Sequence, residues 1–217
     1  MPASCTTTGQ TTIDPRIKPW VSLFPVANLP GNQVTFAFNR PTTEHYGQGR
    51  IDWVVSNKDS VFGRYTNDYT TQVASLDYPG FVTDRFSQSQ FMTVSETHIF
   101  TPTLLNTGRF SFSDTKLRLL SPSPVQGAQY ELVPGKGFGT ITGFTTFGVR
   151  PSAPIRQFQE VYSYSDDAYY TKGTHSLKFG ALINSYKPFY TSGATSTGGI
   201  TFPSVDALDR KSTRLNS

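Results

Sequence analysis

The residues that could support metal binding are few and widely spaced. The three histidines, His45, His98 and His175, lie far apart in the sequence and far from the single cysteine, Cys5. Metal sites built from cysteine and histidine usually place pairs of ligands only a few residues apart. A single cysteine also excludes an internal disulfide and a site made of several cysteines. The sequence therefore predicts no metal centre, and we expect no cofactor.

Two further motifs resemble chemical sites but lack the context that those sites need. Asp166 and Asp167 are adjacent, and neighbours on a β-strand point to opposite faces, so the two carboxylates cannot share a substrate. Residues 135–139 have the glycine content of a phosphate-binding loop, but no helical pattern follows and the Lys-Ser/Thr pair of a P-loop is absent. The Gly-x-Ser-x-Gly motif of a nucleophile elbow is also missing. We therefore expect that this protein is not an enzyme and has no catalytic residues.

The composition is typical of a protein made of strands and loops. Aromatic residues make up 14% of the chain, and it contains 18 Gly and 15 Pro. Aromatic side chains favour strands, whereas Gly and Pro mark turns. No stretch approaches the roughly 20 apolar residues of a membrane-spanning helix, but a closed barrel can cross a bilayer without one. The formal charge of +4 is scattered along the chain, which argues against a nucleic-acid partner.

The ends of the chain differ from its middle. Residues 209–217 match the translation of a common sequencing adapter in one reading frame, so we interpret them as an artefact outside the fold. They carry three basic residues and one acidic residue, and without them the formal charge falls from +4 to +2. Residues 1–43 are predicted to be a loop region. It contains a short helix near 14–24, because Asp14 precedes Pro15 as a helix cap precedes a first-turn proline.

Between these ends, strand-like runs recur in pairs. Each pair is joined by a short turn and followed by a long connection rich in Gly, Pro, Ser and Thr. Short turns that alternate with long loops are typical of outer-membrane β-barrels, and each run exceeds the about 9–11 residues that a tilted strand needs to cross the bilayer. The predicted hairpins are 45–70, 87–117 and 157–187.

These hairpins predict an all-β fold, a long antiparallel meander of about six strands. Within residues 44–208 it would form a partial transmembrane barrel, open as a fragment. Long loops at 71–86 and 118–156 should lie at one end, and the turns near 58, 103 and 173 at the other. A seventh strand is predicted to begin at 198–202. The alternative from the same pattern is a soluble antiparallel sheet with one dry face.

The two faces of the predicted strands differ in polarity, which predicts the surroundings of each side chain. Charged and polar residues are predicted to face the barrel lumen: Arg50, Asp52, Arg64, Glu96, Arg109 and Lys178. Apolar and aromatic residues are predicted to face lipid: Ile51, Trp53, Val55, Val61, Tyr65, Phe110, Phe112, Leu177, Phe179 and Ile183. The adjacent Asp166 and Asp167 conflict with this pattern, because one of them should point at lipid unless a bulge resets the register.

The first hairpin allows a prediction of register. A three-residue turn at 57–59 would pair Val55 with Val61 on the lipid side and Asp52 with Arg64 in the lumen. A two-residue turn would put Arg64 on the apolar face, at a cost of about 2–4 kcal/mol near the middle of a bilayer. We therefore predict the three-residue turn.

Five segments carry a resemblance to a known family: residues 13–25, 49–52, 58–65, 96–106 and 172–180. They resemble strand ends and periplasmic turns in the barrel of TonB-dependent receptors of the Oar-like group, and the resemblance covers about residues 10–205. It implies a bacterial outer-membrane location, contact with outer-membrane lipid and a parent barrel of about 22 strands. It also implies, in the parent protein, a plug domain, the TonB energy-coupling system as partner, and import of a bulky ligand that the sequence does not identify.

The sequence departs from that family in what it lacks. It shows no signal peptide, carboxypeptidase-regulatory-like domain, plug or energy-coupling box, so we expect an internal fragment of the barrel. Two other functions remain open. One is a surface adhesin or structural β-protein of the cell envelope, and the other is a soluble carbohydrate-binding sheet.

Overall fold

The computed structural model describes residues 15, 18–31, 33–142, 145–194 and 196–201. Cys5 and the tail at 209–217, about which the sequence made predictions, lie outside these residues. The described chain is almost entirely β-structure, with one short helix, α1 (Lys18–Val21), and a 3-10 turn at Ala128–Tyr130. Helix α1 falls inside the range 14–24. No helix in the described part of the chain has the length and apolar character needed to cross a membrane.

Nine strands follow one another along the described part of the chain. In order they are β1 (Thr42–Val54), β2 (Asp59–Ser75), β3 (Val82–Thr101), β4 (Leu104–Leu120), β5 (Thr140–Thr142), β6 (Phe147–Gly148), β7 (Ile155–Lys172), β8 (His175–Ser192) and β9 (Gly199–Thr201). Six of them form one antiparallel sheet in the order β1-β2-β3-β4-β7-β8. This sheet does not close into a barrel, which confirms the all-β, open six-stranded meander.

The meander sorts its connections by length. Short turns join β1 to β2, β3 to β4 and β7 to β8, and all three lie at one end, the turn end. The connections after β2 and β4 lie at the opposite end, the loop end, as the sequence predicted. The six strands have 13 to 20 residues each, more than the about 11 that a tilted membrane strand needs. The strands therefore reach beyond a bilayer's thickness.

The first hairpin corrects the predicted register by two residues. Val54 pairs with Ser60 and Trp53 with Val61, so Asp52 lies opposite Phe62 rather than Arg64. The turn still has three residues, but it occupies 56–58, because the backbone N–H of Val55 bonds the Asp59 carbonyl at 2.9 Å.

The hydroxyl of Ser56 explains this position of the turn. It accepts hydrogen bonds from the backbone N–H groups of Lys58 at 3.0 Å and Asp59 at 3.1 Å. Such local bonds from serine to the backbone stabilise turns. A shift of two residues preserves the face of every side chain, so the predicted sorting of faces within this hairpin is unaffected.

The loop end holds the buried core of the molecule. Five residues form it: Trp20, Phe81, Phe138, Phe147 and Val149. They come from α1, the connection after β2 and the connection after β4, and Phe147 is fully buried. A small sheet in the order β6-β5-β9 supports the same region. The predicted seventh barrel strand is wrong: β9 pairs in parallel with β5 at the loop end and does not extend the large sheet beyond β8.

Candidate functional site

The continuous register of the large sheet assigns each strand residue to one of two faces. Cross-strand partners share a face, and residues one apart along a strand alternate. We call the face that carries Arg50, Asp52, Arg64, Arg109 and Lys178 the polar face. The opposite face is the belt face, which carries Ile51, Trp53, Val61, Tyr65, Phe110, Phe112, Leu177, Phe179 and Ile183.

Hydrogen-bonded side chains lie on the polar face, together with apolar ones such as Phe91 and Leu182. The Arg50 guanidinium makes two bonds to the Asp52 carboxylate, at 2.7 Å and 2.6 Å, and lies 4.4 Å from the centroid of the Phe62 ring. Hydroxyl pairs cross from β3 to β4, with Thr93 and Ser111 at 3.2 Å. The predicted pair of Asp52 with Arg64 is therefore replaced by a pair within one strand. Such a surface is suited to contact with water or with another polar body.

An apolar band crosses the middle of the belt face. At one level across the sheet lie Ile51, Gly63, Val94, Phe110, Tyr164 and Ile183. The rings of Phe110 and Tyr164 pack with centroids 5.1 Å apart. Ile51 is 76% exposed and Ile183 is 67% exposed. Four residues further along each strand towards the loop end, the same face is polar. It carries Asn67, Gln90, Asp114, Glu160 and Lys187 there.

One of the site residues chosen from the sequence lies elsewhere than predicted, and the prediction for another is not tested. Glu96 was grouped with Arg64, but it pairs with Val61 and therefore lies on the belt face. Reading each strand alone cannot show which of its faces joins which face of its neighbour, since the length of the connection decides this. Val55 lies just past the end of β1, at the start of the turn, so no strand face is assigned to it. Assignment of the belt face to lipid and of the polar face to the lumen stays a prediction.

The adjacent aspartates of β7 need no bulge. The register is continuous along β7, so Asp166 lies on the belt face and Asp167 on the polar face. Each carboxylate has a partner: Asn106 donates its side-chain N–H to Asp166 at 2.6 Å, and the Lys178 ammonium lies 3.5 Å from Asp167. A hydrogen bond therefore compensates the acidic group on the belt face.

Aromatic side chains pack together at the loop end and form what we call the cap. Phe147 stacks on Phe24 with centroids 4.2 Å apart, and Trp20 packs against Phe138 at 4.6 Å. The Trp20 indole N–H also bonds the Gln129 carbonyl at 2.7 Å. Sequence analysis did not find this cap, because its rings come from segments that are far apart in the chain.

A cleft of about 400 Å³ opens beside this cap. Its lining is Leu76, Asp77, Thr146, Gly148, Val149, Arg150, Pro151 and Ser152. Arg150 is half-buried and its guanidinium Nε donates to the Ser152 hydroxyl at 3.0 Å. Next to the cleft, burial raises the pKa of Tyr78, and the charge of Asp77 adds to that rise. The cleft therefore offers one cation and one carboxylate beside an apolar wall.

Comparison with known proteins gives one positive result. The family model described as an outer membrane beta barrel domain matches residues 2–216 of the chain. No curated protein and no solved structure is significantly similar to it.

Proposed function

Since this chain belongs to the outer membrane beta barrel domain family, and so resides in the bacterial outer membrane, we propose that it forms part of the wall of a TonB-dependent receptor of the Oar-like type. The parent protein would import a bulky ligand, using a plug domain and the TonB energy-coupling system. The motifs at 58–65, 96–106 and 172–180 support this assignment, because they occupy the turn end of the sheet. In an outer-membrane barrel the short turns lie on the periplasmic side.

The observation that carries the proposal is the difference between the two faces. The apolar band of the belt face would contact lipid, and the hydroxyl-rich polar face would line the interior, where a plug domain is a polar neighbour. Six strands are too few to enclose an interior, since the smallest outer-membrane barrels have about eight. We propose that further strands of the parent pair with β1 and β8, whose other neighbours in the large sheet are β2 and β7.

The loop end would take part in ligand capture. It lies outside the cell in this orientation, and the cleft lined by Asp77 and Arg150 opens there. Part of a bulky ligand that carries both apolar and charged groups fits this lining. An adhesin is the second candidate, and the aromatic cap favours it, because its packed rings give the loop end a buried core that can support a binding surface.

The coding sequence upstream of this chain tests the proposal. A receptor should encode a plug domain there, preceded by an energy-coupling box. An adhesin should encode no plug domain there. A second arm uses cells that lack TonB: the receptor proposal expects the protein still to reach the surface but its ligand uptake to stop. Uptake that continues at the wild-type rate would contradict TonB dependence.

A further inference from the structure

Three potential metal ligands meet at the turn end of the belt face. Asp59 lies on β2, and Glu96 and His98 lie two residues apart on β3. Asp59 is the direct cross-strand partner of His98. One ligand atom from each of the three residues lies within 4.8 Å of the other two. The sequence hid this group, because only the register of β2 against β3 brings Asp59 to the other two residues.

Hydrogen bonds and ring packing hold Asp59 and His98 in place. The Asp59 carboxylate is hydrogen-bonded to the Ser56 hydroxyl and to Nδ1 of His98. The His98 ring packs edge-on against Phe100, with centroids 4.3 Å apart. Side chains held by packing and hydrogen bonds lose little freedom when they bind an ion. Asp59 lies on β2 and His98 on the neighbouring strand β3, so an ion bound to both would link the two strands.

Glu96 supplies an independent reason to expect a cation. Its carboxylate lies on the belt face with Val61 as cross-strand partner, and it has no hydrogen bond or ion pair with any residue that the structure describes. Two other carboxylates of the same face, both nearer the loop end, have partners: Asp114 lies 2.5 Å from Lys116, and Tyr162 donates to Glu160 at 3.0 Å. This step rests on the proposed function: if the belt face contacts lipid, a carboxylate without a partner costs free energy there, and a bound cation would remove that cost.

We propose that Asp59, Glu96 and His98 bind one divalent transition-metal ion of the Zn²⁺ class. An imidazole nitrogen and two carboxylate oxygens suit zinc, with water completing four-coordination. The ion's two positive charges would balance the two carboxylates, leaving a neutral group at the rim of the apolar band. The three ligands come from two neighbouring strands, β2 and β3. Zinc binding therefore does not require that the barrel imports a ligand.

Zinc titration of the full chain in detergent micelles tests this site. Every variant carries Cys5→Ser, which removes the single thiol as a competing ligand. The wild-type site should bind one equivalent of Zn²⁺, and Co²⁺ should give the visible absorption of a tetrahedral complex. Glu96→Gln and His98→Gln keep the size of each side chain, and each should weaken zinc binding by roughly tenfold or more. Mg²⁺, which requires near-octahedral oxygen ligands, should not compete.

Two matched variants serve as controls. Glu160→Gln removes a hydrogen-bonded carboxylate from the same face, and His45→Gln removes a histidine of that face on β1. Both variants should bind zinc as tightly as the Cys5→Ser chain does. Circular dichroism must show the same strand content for all variants. The proposal is overturned if no stoichiometric zinc binds. It is also overturned if Glu96→Gln and His98→Gln bind as tightly as the two controls, since zinc would then sit elsewhere.

Discussion

Asp166 and Asp167 are neighbours in the chain, yet their carboxylates lie on opposite faces of the sheet and have different partners. Asn106 donates to Asp166 at 2.6 Å on the belt face, whereas Lys178 lies 3.5 Å from Asp167 on the polar face. Unbroken strand alternation produces this arrangement, and it shows how the sheet accommodates an acid on its apolar side. An amide donor, rather than a bulge, compensates the charge.

The first prediction concerns that amide. Asn106→Ala would leave the Asp166 carboxylate without its donor on the belt face, so it should destabilise the sheet by about 1–3 kcal/mol. Asp167→Asn removes only a partly exposed ion pair of the polar face and should cost less than about 1 kcal/mol. Urea unfolding in detergent micelles measures both. Equal effects of the two changes would contradict different surroundings for the two aspartates.

The double variant Asn106→Ala with Asp166→Ala provides the control. Removing both partners leaves no orphaned charge, so much of the stability lost in Asn106→Ala should return. If the double variant is less stable than Asn106→Ala alone, the hydrogen bond does not explain the role of Asn106.

The second prediction concerns the aromatic cap. Gly148 has a φ of +108°, and a Cβ there would collide with the Gly139 carbonyl oxygen. Gly148→Ala should therefore cost about 3 kcal/mol or more, from backbone strain and overpacking together. Gly137, in the same connection, has a φ of +81° but open space around a Cβ, so Gly137→Ala should cost only about 1–2 kcal/mol.

Fluorescence of Trp20 reports on this cap. The chain has two tryptophans, so a Trp53→Phe background isolates the signal of Trp20. The Trp20 emission of Gly148→Ala should shift towards that of an exposed indole. This variant should also unfold at a lower urea concentration than Gly137→Ala. If the two variants unfold at the same urea concentration, the close approach of Gly148 to Gly139 does not contribute to the stability of the cap.

The third prediction is a pH dependence of the cap. Burial raises the pKa of Tyr78 above its ordinary value of 10.0. The folded cap then holds the phenol proton more tightly than the unfolded chain does. This contribution to stability is complete below pH 10.0 and is lost as the pH rises through the raised pKa. Tyr78→Phe keeps the ring but cannot titrate, so its cap should lose less stability over the same range; identical pH profiles would contradict the prediction.

The fourth prediction concerns the open sheet in water. Its apolar band and the outer edges of β1 and β8 would be exposed without lipid, so the chain should self-associate. Sedimentation without detergent should show large aggregates, whereas detergent micelles should keep the chain dispersed with the same strand content. A soluble monomer with a cooperative thermal transition would favour the soluble-sheet alternative.

Local sequence signals were enough to predict the large sheet. The turns near 58, 103 and 173 and the two-residue alternation of polarity depend on neighbouring residues only. The predicted register of the first hairpin was wrong by two residues because the Ser56 hydroxyl moves the turn. Glu96 was grouped with Arg64 instead of Val61, because one strand read alone does not show which of its faces joins which face of the next strand. Both errors concern how elements join rather than which elements form.

The loop end could not be predicted to the same extent. Trp20, Phe81 and Phe147 pack together although more than a hundred residues separate the first from the last. No local periodicity signals such a contact. Strand β9 was expected as the start of a seventh barrel strand, but it pairs in parallel with β5, a partner about sixty residues away that no local pattern indicates. The group of Asp59 with Glu96 and His98 was missed because it depends on cross-strand register.

An accessibility scan along β4 determines which face of the sheet contacts lipid and which faces the lumen. Single cysteines at 107–113, in the Cys5→Ser background, would carry a nitroxide label in the chain reconstituted into lipid vesicles. If the belt face contacts lipid, reagent access should alternate along β4 with a period of two. Labels at Phe110 and Phe112 should contact lipid-soluble oxygen, and labels at Arg109 and Ser111 should contact a water-soluble nickel chelate. Equal access of both reagents at every position, or the reverse alternation, would contradict lipid contact by the belt face.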